Sequence, residues 1–184
     1  MAEGAHARLL AAAGLQGPPA TRLAAYLDLV AAWSLRVNLT GARTPEERVD
    51  VLVRPVLPLA PLVRPGRLLD VGSGNGSPGL VLAALRDDLA VTLLEPRQKR
   101  WAFLREAARA IGRPEVDARR ERLEEYAGPP ADTVTVRALG LPARAVAAAL
   151  APAGTAWAFG GAIQDDGSLV SAPGPGDLVA WRRP

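Results

Sequence analysis

Apolar residues along this chain follow two different periods, and the change between them falls near residue 65. Up to that point the punctuation is helical. Met1 to Leu15 reads as an Ala-rich helix. Pro18 and Pro19 precede a candidate N-cap at Thr21, after which Leu23, Tyr26, Leu27, Val30 and Trp33 recur at helical spacing and predict an amphipathic helix. Another helix is predicted from Thr44, because Thr44-Pro45-Glu46-Glu47 joins a capping box to a proline in the first turn, where no donor is missed. Pro55, Pro58 and Pro61 each remove a helical donor, so that helix should kink or end near Arg54.

After Arg64-Pro65-Gly66 short apolar runs alternate with helical stretches. Strands are predicted at Leu68 to Val71, Val91 to Leu94, Val116 to Ala118, Thr133 to Val136 and Thr155 to Phe159. Between them lie helices at Pro78 to Leu85, Arg97 to Ile111 and Ala143 to Leu150, the second with Trp101, Leu104, Ala108 and Ile111 on one face. Strand and helix in alternation imply an α/β fold with a mostly parallel, doubly wound sheet. Gly160 to Gly176 is rich in Gly, Ser, Pro and Asp and is predicted as a loop, with Leu178 to Trp181 as a closing strand. The chain therefore divides into a helical extension, residues 1–64, expected to pack on a sheet domain, residues 65–184.

Composition narrows the functional classes. A chain of 184 residues is one domain's worth of sequence. It has no cysteine, which excludes disulfides, Cys-ligated zinc and thiol catalysis. No apolar run reaches the length of a membrane span, since Arg54 and Arg64 interrupt the one candidate, and the N-terminus lacks a signal-peptide pattern; a cytoplasmic protein without a membrane partner is expected. The formal net charge is +3, and Lys99 is the one lysine among 22 basic residues. Arginine favours bidentate contact with phosphate or carboxylate, although the codon usage of a GC-rich genome accounts equally well for Arg over Lys. The excess is local: Arg97 to Arg122 holds nine basic and four acidic residues, +5, leaving −2 for the rest. His6 is expected in a mobile N-terminus, neither catalyst nor metal ligand. Trp33, Trp101 and Trp157 are expected in the core, and Trp181, beside Arg182 and Arg183, has the better claim to exposure.

The most informative stretch is Asp70-Val71-Gly72-Ser73-Gly74-Asn75-Gly76-Ser77-Pro78-Gly79. Glycines at every second position, directly after a strand and before a helix, let the backbone turn sharply and approach a ligand. Glu95 ends the next strand, where an acid would accept hydrogen bonds from ribose hydroxyls. The G-x-G-x-G spacing, with Asp70 just upstream, differs from the G-x-G-x-x-G of dinucleotide sites and resembles motif I of S-adenosylmethionine (SAM) methyltransferases; a nicotinamide cofactor and a purely structural turn stay open. Nothing matches the Lys-Ser/Thr ending of a P-loop.

Together with Trp33, Asn38-Leu39-Thr40, Thr92-Leu93-Leu94-Glu95, Lys99-Arg100, Phe103-Leu104-Arg105, Arg122-Leu123-Glu124-Glu125-Tyr126 and Arg137-Ala138, this loop makes the chain resemble the bacterial small-subunit rRNA methyltransferase G family, also called glucose-inhibited division protein B. The resemblance runs from about Tyr26 to Gly161 and resumes in the last strand. It implies a Rossmann-like SAM-dependent methyltransferase fold with an N-terminal helical extension, and methyl transfer from SAM to N7 of a guanine in the 530 loop of 16S rRNA. By motif match, Gly72, Gly74 and Ser77 would line the methionine side of the cofactor, Glu95 would hold the ribose, and Leu123 and Glu124 would border the adenine. Asp70 and Gly76 complete the cofactor-binding set, and Arg137, at the cofactor and substrate end, is the catalytic candidate. The implied partner is 16S rRNA or the small ribosomal subunit, not DNA, and a monomer is expected. The chain departs from the family at Pro55 and Pro58, where a His and an Asp are usual, at Gly160-Gly161, where a Lys-Gly pair is usual, and in a shortened segment after it. A non-catalytic SAM- or RNA-binding relative and a small-molecule methyltransferase are the alternative readings.

Overall fold

The computed structural model describes residues 4–184. Helix α1 spans Ala5–Ala12 and α2 spans Gly17–Ser34; the first three residues of the helix expected at the N-terminus lie outside the described residues. Helix α2 starts earlier than its sequence signal. Gln16, not Thr21, is the N-cap, and Pro18 and Pro19 sit inside the first turn, where their missing donors cost nothing. Its buried face is Leu23, Ala24, Tyr26, Leu27 and Val30.

The expectation that His6 lies in a mobile N-terminus is overturned. Its ring is fully buried, its Nδ1 lies 2.5 Å from Asp28 Oδ1 on α2, and its Nε2 accepts from Arg48 Nε at 3.1 Å. That acceptor role puts the ring proton on Nδ1, facing Asp28. A histidine on an Ala-rich helix carries no local sign of partners 22 and 42 positions away.

Helix α3, Pro45–Arg48, carries the predicted capping box: Thr44 Oγ1 accepts from Glu47 N at 3.1 Å, and Glu47 Oε2 accepts from Thr44 N at 3.3 Å. The backbone N–H groups of Arg43 and Thr44, both donating to Oε2, hold the Glu47 carboxyl below its ordinary pKa. A π-helical turn, Val49–Val53, follows. Beyond it the three prolines impose their own period. Val56, Leu59 and Leu62 each donate to the carbonyl three residues back at 2.9–3.0 Å, and the prolines stand at the positions between. Three residues per turn place Val53, Val56 and Leu59 in one buried row.

The remaining elements are β1 (Gly66–Val71), α4 (Gly79–Leu85), β2 (Leu89–Leu94), α5 (Gln98–Ala110), β3 (Asp117–Arg119), β4 (Ala131–Arg137), β5 (Leu141–Pro142), α6 (Ala143–Ala149), β6 (Leu150–Phe159), β7 (Ile163–Gln164), β8 (Val170–Pro173) and β9 (Leu178–Arg182). A 3-10 turn, Leu123–Glu125, lies between β3 and β4. Seven strands form one sheet in the order β3-β2-β1-β4-β6-β9-β8. Pairings from β3 to β6 are parallel, and β9 is antiparallel to both its neighbours. The segment predicted as a loop thus contains two strands. All four side chains of β8 are exposed, so it has no apolar alternation to read, and its place is fixed by hydrogen bonding to β9.

Alternate strand residues serve opposite faces of the sheet. Leu68, Val91, Leu93 and Trp157 join α1, α2, α4 and α5 in one apolar cluster. Leu69, Leu94, Val134, Val136 and Ala158 join α6 in the other. Trp181 belongs to the second cluster and is buried, against the expectation of exposure; only its neighbours Arg182 and Arg183 face solvent. Among the described residues no helix is long and apolar enough to cross a membrane.

Gly79 shows how tightly α4 seats on the sheet. A methyl group there would meet Leu93 Cδ2 at 2.5 Å and Asp70 Cβ at 2.8 Å, and the Asp70 Cβ belongs to a strand that cannot yield. Gly79→Ala is expected to lower unfolding free energy by about 2 kcal/mol, measured as a shift of the urea midpoint at unchanged slope.

Candidate functional site

Parallel strands end on a common edge, and the order reverses at β1, with β2 and β3 on one side of it and β4 and β6 on the other. Such a switch point leaves a crevice beyond the strand ends. Here it is a cleft of about 730 Å³. Its floor is the glycine loop after β1, with Gly72, Gly74 and Gly76 at φ +69°, +51° and +92°. Those angles are the left-handed region, and at Gly72 the Leu139 side chain also occupies the space a Cβ would take.

Glu95 organises this floor. Only 3% exposed, it accepts from Gly74 N at 3.1 Å through Oε2 and from Arg97 N at 2.8 Å through Oε1. One carboxylate therefore ties the turn after β1 to the start of α5. Each oxygen keeps a second lone pair for a ligand hydroxyl.

The opposite wall comes from the N-terminal segment, held by long-range bonds. Asn75 Nδ2 donates to Leu39 O at 3.2 Å, Tyr26 Oη to Asn75 O at 2.9 Å, and Arg100 Nη2 to Asn38 O at 2.8 Å. The Asn38-Leu39 motif thus braces the loop. At the end of β4, Arg137 Nη1 donates to Ser77 Oγ at 2.9 Å and Nη2 to Val51 O at 2.7 Å, while its guanidinium lies 5.4 Å from the Phe159 ring centroid. Ser77 Oγ in turn donates to Leu52 O at 2.7 Å. Burial depresses the pKa of the Arg137 guanidinium, with Tyr26 and Asp70 opposing that shift.

The cleft brings together Gly72, Gly74, Ser77, Glu95, Leu123, Glu124 and Arg137. Asp70 and Gly76 do not line it. Asp70 is buried behind the loop, where its Oδ1 accepts from Thr135 Oγ1 at 2.6 Å and its Oδ2 has no hydrogen-bond partner within the usual geometry. Burial pushes the Asp70 carboxyl up from 3.8 to about 6, against the lowering effect of Thr135. An acid whose folded-state pKa is raised keeps its proton longer in the folded than in the unfolded chain, so stability falls as pH rises between the two values. Relative to Asp70→Asn, which does not titrate there, the wild type should lose about 1.4 kcal/mol between pH 5 and pH 8, read from urea unfolding at both values.

Several lining residues carried no motif. Val51 and Leu52 arrive through the π-helical turn and Arg97 at the N-cap of α5, beside Arg100 of the Lys99-Arg100 motif. Ala138 lines the rim at φ +55°, a conformation few non-glycine residues adopt and one that clusters at functional sites. The basic segment from 97 to 122 also divides. Arg97, Arg100 and Arg122 face the cleft, whereas Arg113 is buried and donates to the carbonyls of Arg86 and Leu89, each at 2.9 Å. Pro55, Pro58 and Gly160 do not line the cleft.

A parallel sheet with an antiparallel strand inserted before its last member, a glycine loop after β1 and an acid at the end of β2 define a Rossmann-like methyltransferase fold. Solved structures agree. A putative O-methyltransferase from Klebsiella pneumoniae superposes with a TM-score of 0.60 over 98% of this chain and 97% of that one, at 17% identity. A mutant of MtNAS in complex with S-adenosylmethionine superposes with a TM-score of 0.59 over 91% of this chain and 78% of that one, also at 17% identity. The family model described as rRNA small subunit methyltransferase G matches residues 20–165, and the chain belongs to that family. Among curated proteins named Ribosomal RNA small subunit methyltransferase G, that of Methylobacillus flagellatus is 42% identical over 64% of this chain and 58% of its own length. That of Leptothrix cholodnii is 38% identical over 71% of this chain and 65% of its own length. That of Halorhodospira halophila is 36% identical over 87% and 72%. The chain thus spans less than two thirds of the first two of these relatives.

Proposed function

We propose that this chain is a SAM-dependent methyltransferase acting on 16S rRNA, at N7 of a guanine in the 530 loop. The observation that carries the reading is the convergence of the glycine loop, Glu95 and Arg137 on one cleft, in a chain of the rRNA small subunit methyltransferase G family. The cleft suits the cofactor. Gly72 and Gly74 leave backbone open to close approach, Glu95 offers lone pairs to a ribose, and Leu123 and Glu124 border the far end. When bound, SAM supplies an electrophilic methyl on a sulfonium.

Guanine N7 carries a lone pair and no proton, so the chain need not supply a general base. Its residues have to orient and to exclude water. The Arg137–Ser77–Leu52 bonds fix the wall between the N-terminal segment and β4, while Glu95 fixes the floor. Orientation alone contributes on the order of 7–11 kcal/mol in favourable systems. The usual His, Asp and Lys of the family are replaced here by Pro55, Pro58 and Gly160, none of which lines the cleft. These replacements favour one second reading, a cofactor-binding relative without turnover.

Methyl transfer from labelled SAM to unmodified 30S subunits and to naked 16S rRNA tests the proposal. Label in one guanine N7 supports it. Tight SAM binding by calorimetry with no transfer to either substrate would favour the second reading.

A further inference from the structure

A second cavity, of about 590 Å³, opens on the outer side of α2 and α5. Its wall is apolar: Ala32, Trp33 and Val37 line it, and the Trp33 indole is held edge-on to Phe103 with ring centroids 5.7 Å apart. Arg36 and Lys99 stand at the rim, with Glu106 as the one carboxylate. Leu35, beside them, is 86% exposed. The outward face of α5 continues this charge with exposed Arg105 and Arg109.

The position of the groove relative to the cleft is informative. Val37 and Lys99 border the groove, while Leu39 and Arg100 border the cleft. The partition between them is the bond from Arg100 Nη2 to Asn38 O, 2.8 Å long. A chain that placed one unit in the cleft would meet the groove with a neighbouring unit. An indole wall, two cations and a carboxylate able to accept from an exocyclic amine match an unstacked nucleobase with its flanking phosphates.

We propose that this groove binds a nucleotide of single-stranded RNA adjacent to the one that enters the cleft, so that the substrate strand is splayed across the Asn38–Arg100 partition. The inference rests on the reading of the chain as an RNA methyltransferase and extends it to a second base-binding subsite. It makes the N-terminal segment part of substrate recognition: α2 and the turn after it contribute Trp33 and Arg36, and α5 contributes Lys99.

The test uses the whole chain and a fluorescein-labelled RNA hairpin carrying the 530 loop, followed by anisotropy, with SAM affinity measured in parallel by calorimetry. Two variants are made at exposed positions. The double variant Arg36→Ala/Lys99→Ala removes the cations, and Ala32→Glu puts a carboxylate into the groove from a solvent-facing position of α2. Each is expected to weaken RNA binding at least tenfold while SAM affinity stays within twofold. The double variant should also flatten the dependence of log affinity on log salt by about 1.4, at about 0.7 per cation lost. Wild-type RNA affinity in both variants would overturn the subsite and leave the methyltransferase reading standing. Loss of binding to 30S subunits with RNA affinity retained would overturn it too, by making the groove a protein contact. A wild-type chain that binds SAM but no RNA at low salt would overturn the RNA substrate itself, and the subsite with it.

Discussion

Glu95→Ala is expected to weaken SAM binding by about a hundredfold or more, measured by calorimetry. The carboxylate does two things at once. It is the acceptor for Gly74 N and Arg97 N, and it presents its remaining lone pairs to the cleft. Hydrogen bonds to a charged group are worth about 1.5–3 kcal/mol each, so losing two ribose contacts already accounts for the predicted factor. Leaving two backbone donors without their acceptor adds to the loss, because Gly74 is buried and its N–H loses the carboxylate it donates to. Glu95→Gln separates the contributions. Its amide has one carbonyl oxygen for two backbone donors, so it should retain part of the loop geometry and fall between wild type and alanine. Equal affinity in all three proteins would remove Glu95 from the cofactor site.

Arg137→Ala should reduce methyl transfer about a hundredfold while weakening SAM binding less than tenfold. The guanidinium spans two elements, reaching Ser77 Oγ in the glycine loop and Val51 O in the π-helical turn. Without it, the wall that carries Val51 and Leu52 loses its tie to the end of β4, and the geometry of the substrate side of the cleft loosens. Misplacement on the scale of 1 Å costs about that factor when a reaction depends on alignment. Arg137→Lys should recover little, since an ammonium cannot reproduce the fork that holds two acceptors at once. The comparison of kcat/KM with calorimetric SAM affinity distinguishes this role from cofactor binding: a loss of equal size in both would make Arg137 a cofactor ligand.

These two residues differ in how visible they are before folding. Glu95 sits at the end of an apolar strand at a characteristic distance from a glycine loop, and both are signals of local sequence. Arg137 follows a strand of Thr and Val that has no signature of its own, and it stands out only through the family resemblance. Its hydrogen-bond partners are 60 and 86 positions away. Asp70 shows the converse. Its place beside the glycines suggested a ligand contact, yet in β1 alternate side chains take opposite faces, and its carboxyl ends behind the loop against Thr135 on β4.

The sequence by itself determined the helices of the N-terminal part, the break in helical geometry near Arg54 where the prolines begin, the strand and helix alternation after residue 65, and the glycine loop with its acid. Each of these depends on interactions within a few residues: caps, turns, missing donors and hydrophobic period. Tertiary structure decided the rest. Strand order placed the ends of β1, β2 and β4 on one edge and so selected which arginines face the cleft and which, like Arg113, stay buried. Packing of α1 on α2 and α3 gave His6 its partners, and pairing with β9 made a strand of the exposed segment Val170–Pro173. In all these cases the deciding partner lies far along the chain, and only closure of the fold brings it within hydrogen-bonding distance.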